Sequence, residues 1–235
     1  MEKIAIGITT HNRREVFEES LAEWIKYKPD NADIFVVDDA SKEPVKSDYR
    51  FEQNVGIAKA KNKCLELAEG YDYIFLVDDD VRPKRNDWHL PYINSGINHL
   101  CLTFDKKNTG RVYSPSIRAE KEENGLKVYS APNGCMLFLT KKVLETAGGM
   151  RPEFGMWGFE HVEYTQRINN LGLTPNPFMD IANSMDYFDV LDWRSAVTSS
   201  LPVEVRRESG QKNLKIYEKY LHSAEFVDYR DNTLL

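Results

Sequence analysis

The stretch from Tyr73 to Val81 constrains the fold more than any other part of the chain. Five strand-favouring residues, Tyr73 to Val77, run directly into three carboxylates, Asp78 to Asp80. A short apolar run of this kind predicts a buried parallel strand that ends at a polar edge. In open α/β sheets the carboxyl ends of the strands face the ligand crevice, so we expect these acids to lie in a binding site.

Three adjacent carboxylates repel one another unless a cation or a set of hydrogen-bond donors compensates them. Ligands that are all oxygen favour Mg²⁺ or Mn²⁺, ions that commonly bind through one or two carboxylates, water and substrate phosphates. The acid cluster therefore predicts a divalent metal, Mn²⁺ or Mg²⁺. A turn or a helix N-terminus that merely tolerates acids is the alternative at this point.

Strand and helix patterns alternate before this cluster. Short apolar runs at Ile4 to Ile8 and Ile34 to Val37 predict strands, and the second also ends on acids. Apolar residues at helical spacing predict helices over Arg14 to Tyr27 and Ile57 to Ala68. The alternation predicts an α/β fold with a mainly parallel central sheet and flanking helices.

Composition narrows the class of protein. With 235 residues, 41% hydrophobic and 29% charged, the chain is long enough for one substantial core. A formal net charge of -6 gives no general attraction to nucleic acid or anionic membranes. No apolar run approaches the ~20 residues needed to span a bilayer, so we expect a soluble, cytoplasmic protein. The three cysteines are interpreted as reduced core residues.

Four segments together carry a family resemblance. They are Ile8 to Arg13, Val36 to Ser41, Asn54 to Asn62, and the Asp78 to Asp80 cluster paired with Trp157 to Glu160. In this order they resemble the nucleotide-sugar glycosyltransferases of the GT-A fold, especially family 2 and its galactosyl- and N-acetylgalactosaminyltransferase relatives. The resemblance implies a Rossmann-like GT-A catalytic domain over residues 1–195. We expect residues 196–235 to form a C-terminal helical extension packed on that domain.

The resemblance implies a donor site at the first two strand ends. Thr9 and Asp39 occupy the positions that hold uridine in the family, and a carboxylate is well suited to accept the uracil imide N–H. An Asx-turn or a helix cap is the alternative role for Asp39. Lys59 is a candidate for the diphosphate, although a lysine on a helix face is more often simply solvated.

The acid cluster matches the asp-x-asp motif of the family. The resemblance puts Asp80 on the metal and Asp78 near the ribose and the metal, where the ion neutralises charge on the departing UDP. The family's further ligand is often a histidine, yet no histidine lies between His161 and His222. Asp186 is near the expected position and is the substitute candidate.

The loop from Trp157 to Glu160 resembles the acceptor half of the family's site, where tryptophan and glutamate shape the pocket. Inverting relatives have an acid general base at the position that His161 occupies here. Either Glu160 or His161 is the base, or neither is because the enzyme retains configuration. We expect Glu160, because a helix N-terminus would keep it ionised. Without the resemblance, Trp157 is as readily a core aromatic.

The resulting functional hypothesis is a metal-dependent glycosyltransferase that moves a sugar from a UDP-sugar to a hydroxyl of a saccharide or another acceptor. One alternative is a sugar transferase acting on a hydroxymethylated base in phage DNA, which the acidic net charge disfavours. Another is a nucleotidyltransferase, although the glycine-rich loop expected after the first strand is missing. A non-catalytic binding module of the same fold is a further alternative.

Overall fold

The computed structural model describes residues 2–104, 117–191 and 201–230. Its first half contains, in chain order, β1 (Ile4–Thr10), α1 (Arg14–Tyr27), β2 (Ala32–Asp38), β3 (Tyr49–Arg50), α2 (Ile57–Leu67), β4 (Tyr73–Asp78), β5 (Val81–Pro83), α3 (Leu90–Asn94) and β6 (His99–Cys101). The second half contains β7 (Ala119–Glu123), β8 (Leu126–Tyr129), β9 (Met136–Thr140), α4 (Lys141–Ala147), a 3₁₀ turn (Pro152–Phe154), α5 (Glu160–Asn170), β10 (Met179–Ile181), a 3₁₀ turn (Ser184–Asp186), β11 (Phe188–Val190) and α6 (Val203–Tyr220).

The central sheet has six strands in the order β3-β2-β1-β4-β9-β6. The first four strands of this order run parallel, and β9 is antiparallel to both of its neighbours. The predicted α/β architecture with a mainly parallel sheet is thus confirmed. Register places Thr9 of β1 beside Asp78 of β4, and Thr10 beside Asp38 of β2. Polar residues from three strand ends therefore meet at one edge.

The sheet separates two apolar cores. On one face, the isoleucines of β1 pack with Phe17 and Trp24 of α1. On the other face, Ala5 of β1 packs with α2 and α4. Gly7 lies under α2, where an added Cβ would stand 2.6 Å from the Cβ of Cys64. The glycine that interrupts the apolar run of β1 therefore permits the close approach of α2, the helix that reaches the strand ends.

Two regions differ from expectation. The sequence pattern predicts a loop from Thr174 to Asp192, yet β10 pairs with β8 and β11 pairs with β5. Such three-residue strands are too short to give a periodic signal. The C-terminal helix begins at Val203 rather than near Asn213, because Gly210 and the charged residues around it obscure the helical pattern.

Two expectations fall partly or wholly outside the described residues. The lysine- and glutamate-rich sequence from Asp105 to Lys127 predicts hairpins or an exposed excursion. β7 and β8 form a hairpin, while residues 105–116 lie outside the described part of the chain. The predicted domain boundary at residues 195 and 196 also lies outside it. Within the described ranges, no helix combines the length and the apolar character that a membrane span requires.

Candidate active site

His11 joins the three loops that carry the first three sequence motifs. Its Nδ1 donates to the carbonyl of Asp39 at 2.5 Å, and its Nε2 faces the side-chain amides of Asn54 and Asn12 at 2.9 and 2.8 Å. A donating Nδ1 leaves Nε2 as an acceptor for these amides. The backbone N–H of Asn12 also donates to Ser41 Oγ. Motifs that are far apart in the sequence therefore form one bonded unit.

Asp39 lines the site and also binds the backbone of the loop that contains Val55 and Gly56. Its Oδ1 accepts from the N–H of Val55 at 2.7 Å, and its Oδ2 accepts from the N–H of Gly56 at 3.0 Å. Burial raises the pKa of Asp39, and these two backbone donors partly oppose that rise. The carboxylate is therefore held in one orientation with a spare lone pair on each oxygen. Thr9 Oγ1, in a residue that lines the same cavity, is buried and has no hydrogen-bond partner within residues 2–104, 117–191 and 201–230.

The three consecutive acids have different environments. Asp79 is buried and is bound by the hydroxyl of Thr10 at 2.7 Å and by the guanidinium of Arg13. Burial raises the pKa of Asp79, and the charge of Arg13 opposes that rise. Arg13 also reaches Asp80 Oδ2 at 3.3 Å. The middle acid is therefore a structural anchor for Arg13.

Asp78 is compensated by a buried lysine. Lys61 Nζ lies 2.8 Å from Asp78 Oδ1 and donates to the carbonyl of Gly134 at 3.0 Å. Burial lowers the pKa of Lys61, but the Asp78 carboxylate outweighs burial, and the resulting pKa lies above the ordinary value. The predicted diphosphate residue, Lys59, does not line the cavity. Two positions apart on a helix, Lys59 and Lys61 point to opposite sides.

Glu160 and His161 lie together at the start of α5. His161 Nδ1 is 3.0 Å from Glu160 Oε1, whereas Glu160 Oε2 is buried and, among the residues that the structure describes, has no hydrogen-bond partner. Burial alone would raise the pKa of Glu160, but the hydrogen bond and charge of His161, with a contribution from Lys61, hold it below its ordinary value. Glu160 therefore remains a carboxylate near neutral pH, with one oxygen free.

The loop before Glu160 is held by one face of α6. Asn213, almost fully buried, donates its side-chain amide to the carbonyls of Trp157 and Gly158 at 2.8 and 2.9 Å. One turn earlier on α6, Gly210 packs against the Trp157 ring, since a Cβ at Gly210 would lie 3.6 Å from that ring. Spacings of three and four residues put these positions on one helix face. The C-terminal helix thus completes the site.

These elements enclose a cavity of about 300 Å³. Its charged lining consists of five carboxylates and three permanent cations: Asp39, Asp78, Asp79, Asp80 and Glu160, with Arg13, Lys61 and Arg206. Among the described residues, negative charge is therefore in excess by two. A divalent cation is the simplest species that balances such an excess at this position.

Most of the predicted site residues come together in this cavity. The lining includes Thr9, Asp39, Asp78, Asp80, Trp157, Glu160 and His161. The residue suggested as a third metal ligand, Asp186, does not: it lies in the 3₁₀ turn before β11, close to Arg85. β11 runs antiparallel to β5, so it reaches Asp80 only at its far end, where Leu191 N–H donates to the carbonyl of Asp80.

Two further observations concern ligands and missed residues. Within the described ranges, no group of three or more His, Cys, Asp or Glu side chains forms a metal cluster. The sequence reasoning did not assign site roles to Arg13, Arg206 or Asn213. A signal exists for Arg13, which ends the first motif. Arg206 and Asn213 gave none, because they reach the site from a distant helix.

The comparisons with known proteins agree with this geometry. Residues 5–94 match the family described as glycosyl transferase family 2. A relative named uncharacterized glycosyltransferase R363, from Acanthamoeba polyphaga mimivirus, is 28% identical over 256 residues, covering 95% of this chain and 96% of the relative.

Solved structures with a similar fold share little sequence with this chain. GalNAc-T7 with UDP, GalNAc and Mn²⁺ has a TM-score of 0.59 at 16% identity, over 77% of this chain and 43% of its own. The mannosyltransferase PcManGT from Pyrobaculum calidifontis, in complex with GDP-Man and Mn²⁺, has a TM-score of 0.54 at 18% identity. The match covers 73% of this chain and 53% of PcManGT. S. aureus TarS 1-349 has a TM-score of 0.55 at 15% identity, and the match covers 93% of this chain and 72% of the TarS chain. The first two are thus about twice as long as the part that this chain spans.

The structural likeness establishes the fold, which is the GT-A type of α/β fold. The chemistry rests on sequence: the family 2 match includes β1, β2 and the acid cluster, and the mimivirus relative matches along nearly the whole chain. The chain is a glycosyltransferase enzyme with a GT-A fold.

Proposed function

We propose that this enzyme is a metal-dependent glycosyltransferase that moves a sugar from a UDP-sugar to an acceptor hydroxyl. One observation carries the proposal: a single cavity is lined by Asp39, by the acids Asp78 and Asp80, and by Glu160. A base-reading carboxylate, a cation-binding pair and a proton acceptor are the three groups that such a transfer needs.

Asp39 and Thr9 are the proposed reading groups for the base. The two backbone donors that fix Asp39 leave it rigid, and its remaining lone pairs can accept the imide N–H of uracil. The unpartnered Thr9 hydroxyl can supply or accept a second bond. Guanine also presents an N–H to a carboxylate, and one structural neighbour is a complex with GDP-Man. The nucleotide comparison below separates the two bases.

Asp78 and Asp80 are the proposed metal ligands, with Mn²⁺ or Mg²⁺ as the ion. The donor set fits: two oxygen ligands on a surplus of negative charge suit a hard divalent cation whose other positions are filled by phosphate and water. When bound, the metal supplies Lewis-acid stabilisation of the charge on the departing nucleoside diphosphate. Two neighbours, GalNAc-T7 and PcManGT, are complexes with Mn²⁺.

Lys61 and Arg13 hold the acids in place. Each cation contacts a proposed ligand, Lys61 on Asp78 and Arg13 on Asp80. Arg13 is itself anchored on the buried Asp79. Ligand carboxylates fixed in this way are oriented before substrate arrives, which lowers the cost of assembling the reacting geometry.

Glu160 is the proposed general base. His161 engages Oε1, so the free Oε2 is the atom that accepts the proton of the acceptor hydroxyl as that oxygen attacks the sugar. Trp157, 42% exposed at the rim, offers an apolar face for a sugar ring. A general base that activates the acceptor hydroxyl implies inversion of configuration, because direct displacement by the acceptor inverts the anomeric centre.

The comparisons and the net charge bear on two of the three alternative hypotheses. The family match and the mimivirus relative favour glycosyl transfer over nucleotidyl transfer. A nucleic-acid acceptor would require binding that falls steeply with salt, and the net charge of -6 disfavours it.

The proposal is tested by calorimetric titration of UDP, GDP and CDP with Mn²⁺, with Mg²⁺ and without metal. We expect UDP to bind at least about tenfold more tightly with a divalent ion and to be preferred over CDP. Preference for GDP would transfer the proposal to a guanosine donor. No binding of any of the three nucleotides would refute it.

A further inference from the structure

We propose that Arg206 binds a phosphate group of the acceptor, so that the enzyme glycosylates a small phosphorylated molecule rather than a neutral sugar. This inference rests on the proposed function, because it assigns the acceptor half of the same cavity.

The first observation is the state of the cations in the cavity. Arg13 is engaged by two carboxylates and Lys61 by one. Arg206 lines the same cavity, and within the described residues it makes no ion pair. Its Nε is buried, and no hydrogen-bond partner for it occurs in the described part of the chain. A buried donor on a charged group is costly to leave unsatisfied, so a ligand atom is the expected partner.

The second observation is the position of Arg206 relative to the acceptor loop. Arg206 lies one turn before Gly210 on α6, on the face that continues through Asn213 and Tyr217. Gly210 contacts Trp157, Asn213 binds the carbonyls of the loop, and the Tyr217 ring stacks on Phe159 at 5.6 Å. Arg206 therefore lies on the helix face that holds the Trp157 loop, and it lines the same cavity as Trp157 and Glu160.

The third observation is chemical. A guanidinium presents a planar fork of N–H donors that matches the oxygens of phosphate, and it remains charged at every physiological pH. A sugar hydroxyl can accept one of these bonds, but it carries no charge to match the guanidinium, whereas a phosphate offers charged oxygens in the spacing of the fork. A single unpaired guanidinium suits one phosphate group, whereas a nucleic acid would require a row of cations along the strand.

The experiment compares the wild type with Arg206→Gln and with Arg207→Gln, a neighbouring exposed arginine that makes the same change of charge on α6. Inorganic phosphate is titrated onto each protein without metal and followed by ³¹P NMR. We expect Arg206→Gln to weaken phosphate binding by about tenfold or more, as for the loss of a charge-assisted hydrogen bond. Arg207→Gln should bind like the wild type, and Arg206→Lys should fall between.

Equal phosphate affinity in the wild type and Arg206→Gln, or no binding by either, would overturn the assignment. A second titration, UDP with Mn²⁺, separates acceptor from donor. Unchanged UDP affinity in Arg206→Gln supports the acceptor assignment, and a loss of about tenfold would assign Arg206 to the donor diphosphate and overturn it. If the wild type binds neither UDP, GDP nor CDP, the proposed function fails, while the phosphate titration still decides whether Arg206 is an anion site.

Discussion

His161 Nδ1 lies 3.0 Å from Glu160 Oε1, so two consecutive residues at the start of one helix contact each other through their side chains. Gly134 packs against the imidazole so closely that a Cβ there would lie 2.4 Å from His161 Cγ. The ring is therefore confined, and with it the oxygen that it binds. The other carboxylate oxygen is left as the reactive one.

Replacement of Glu160 tests this division of roles. Glu160→Gln keeps the shape but removes the proton acceptor, and we expect turnover to fall by about 10²–10⁴-fold with donor binding preserved. Steady-state kinetics and a UDP titration measure the two effects. His161→Gln is the matched variant and should lower turnover far less. The opposite order of effects would assign the base to His161.

The pH profile provides an independent test. Burial raises the pKa of Glu160, but His161 and Lys61 outweigh it and hold the pKa below the ordinary value. The carboxylate is therefore ionised from neutral pH down to below about 4.3, the usual glutamate value. We expect turnover to be constant as pH falls from 7 to about 5. A loss of rate through the ordinary histidine range near ~6.5, absent in His161→Gln, would contradict Glu160 as base.

Asp39→Asn should weaken UDP binding and also lower the unfolding free energy of the protein. The amide has one acceptor oxygen instead of two, so one of the N–H donors of Val55 and Gly56 loses its partner. We expect a loss of about 1–3 kcal/mol in unfolding free energy and a similar loss in UDP affinity. Urea denaturation and calorimetry measure them. Asp33→Asn, on β2 but away from the cavity, is the control and should leave UDP affinity unchanged.

Asp80→Asn should remove most of the metal dependence of UDP binding. The change is isosteric, and Arg13 keeps its anchor on Asp79, so the fold is preserved. We expect the Mn²⁺-dependent gain in UDP affinity to fall by at least about tenfold. Asp186→Asn is the informative control, because Asp186 lies outside the cavity. A similar loss in Asp186→Asn would restore Asp186 as a metal ligand.

The face of α6 that holds the loop predicts a pair of stability effects. Asn213→Ala leaves the carbonyls of Trp157 and Gly158 without their donor, and we expect a loss of about 1–3 kcal/mol. Gly210→Ala should raise stability by up to about 1 kcal/mol, since a helical glycine is replaced and the new Cβ has ordinary contact distance to Trp157. Denaturant titration measures both, with exposed Gln211→Ala as reference. A rise in the unfolding free energy of Asn213→Ala would contradict the role of Asn213 in holding the Trp157 loop.

The strand ends were predictable because their signals are local. An apolar run followed by acids predicts a buried strand and a polar edge, so the sequence places Asp39, Asp78 and Asp80 at one edge. Spacing alone does not fix the phase of a helix against its sheet, so it does not distinguish Lys59 from Lys61. The close packing of Cys64 on Gly7 fixes this phase. The helix face with Ile57, Ala60 and Lys61 then lines the cavity.

Two features were beyond sequence reasoning for a different reason. Asp186 was chosen by its distance from Glu160 along the chain, but β11 reverses direction against β5 and carries that residue away from Asp80. Asn213 reaches the site through hydrogen bonds to residues 55 to 59 positions earlier, such as Trp157, and Arg206 lines the cavity from the same helix. Pairings over such separations depend on tertiary packing, and no local pattern encodes them.

Hydrolysis of UDP-sugars in the presence of Mn²⁺ tests the central claim most directly, since it requires the donor site, the metal ligands and the reacting geometry together but no known acceptor. A panel of UDP-sugars is incubated with the wild type and with Asp80→Asn, and released UDP is measured. The account predicts slow UDP release from at least one UDP-sugar by the wild type, with little or none from Asp80→Asn or after chelation of the metal. Equal UDP release by the wild type and Asp80→Asn, or release unaffected by chelation, would contradict it.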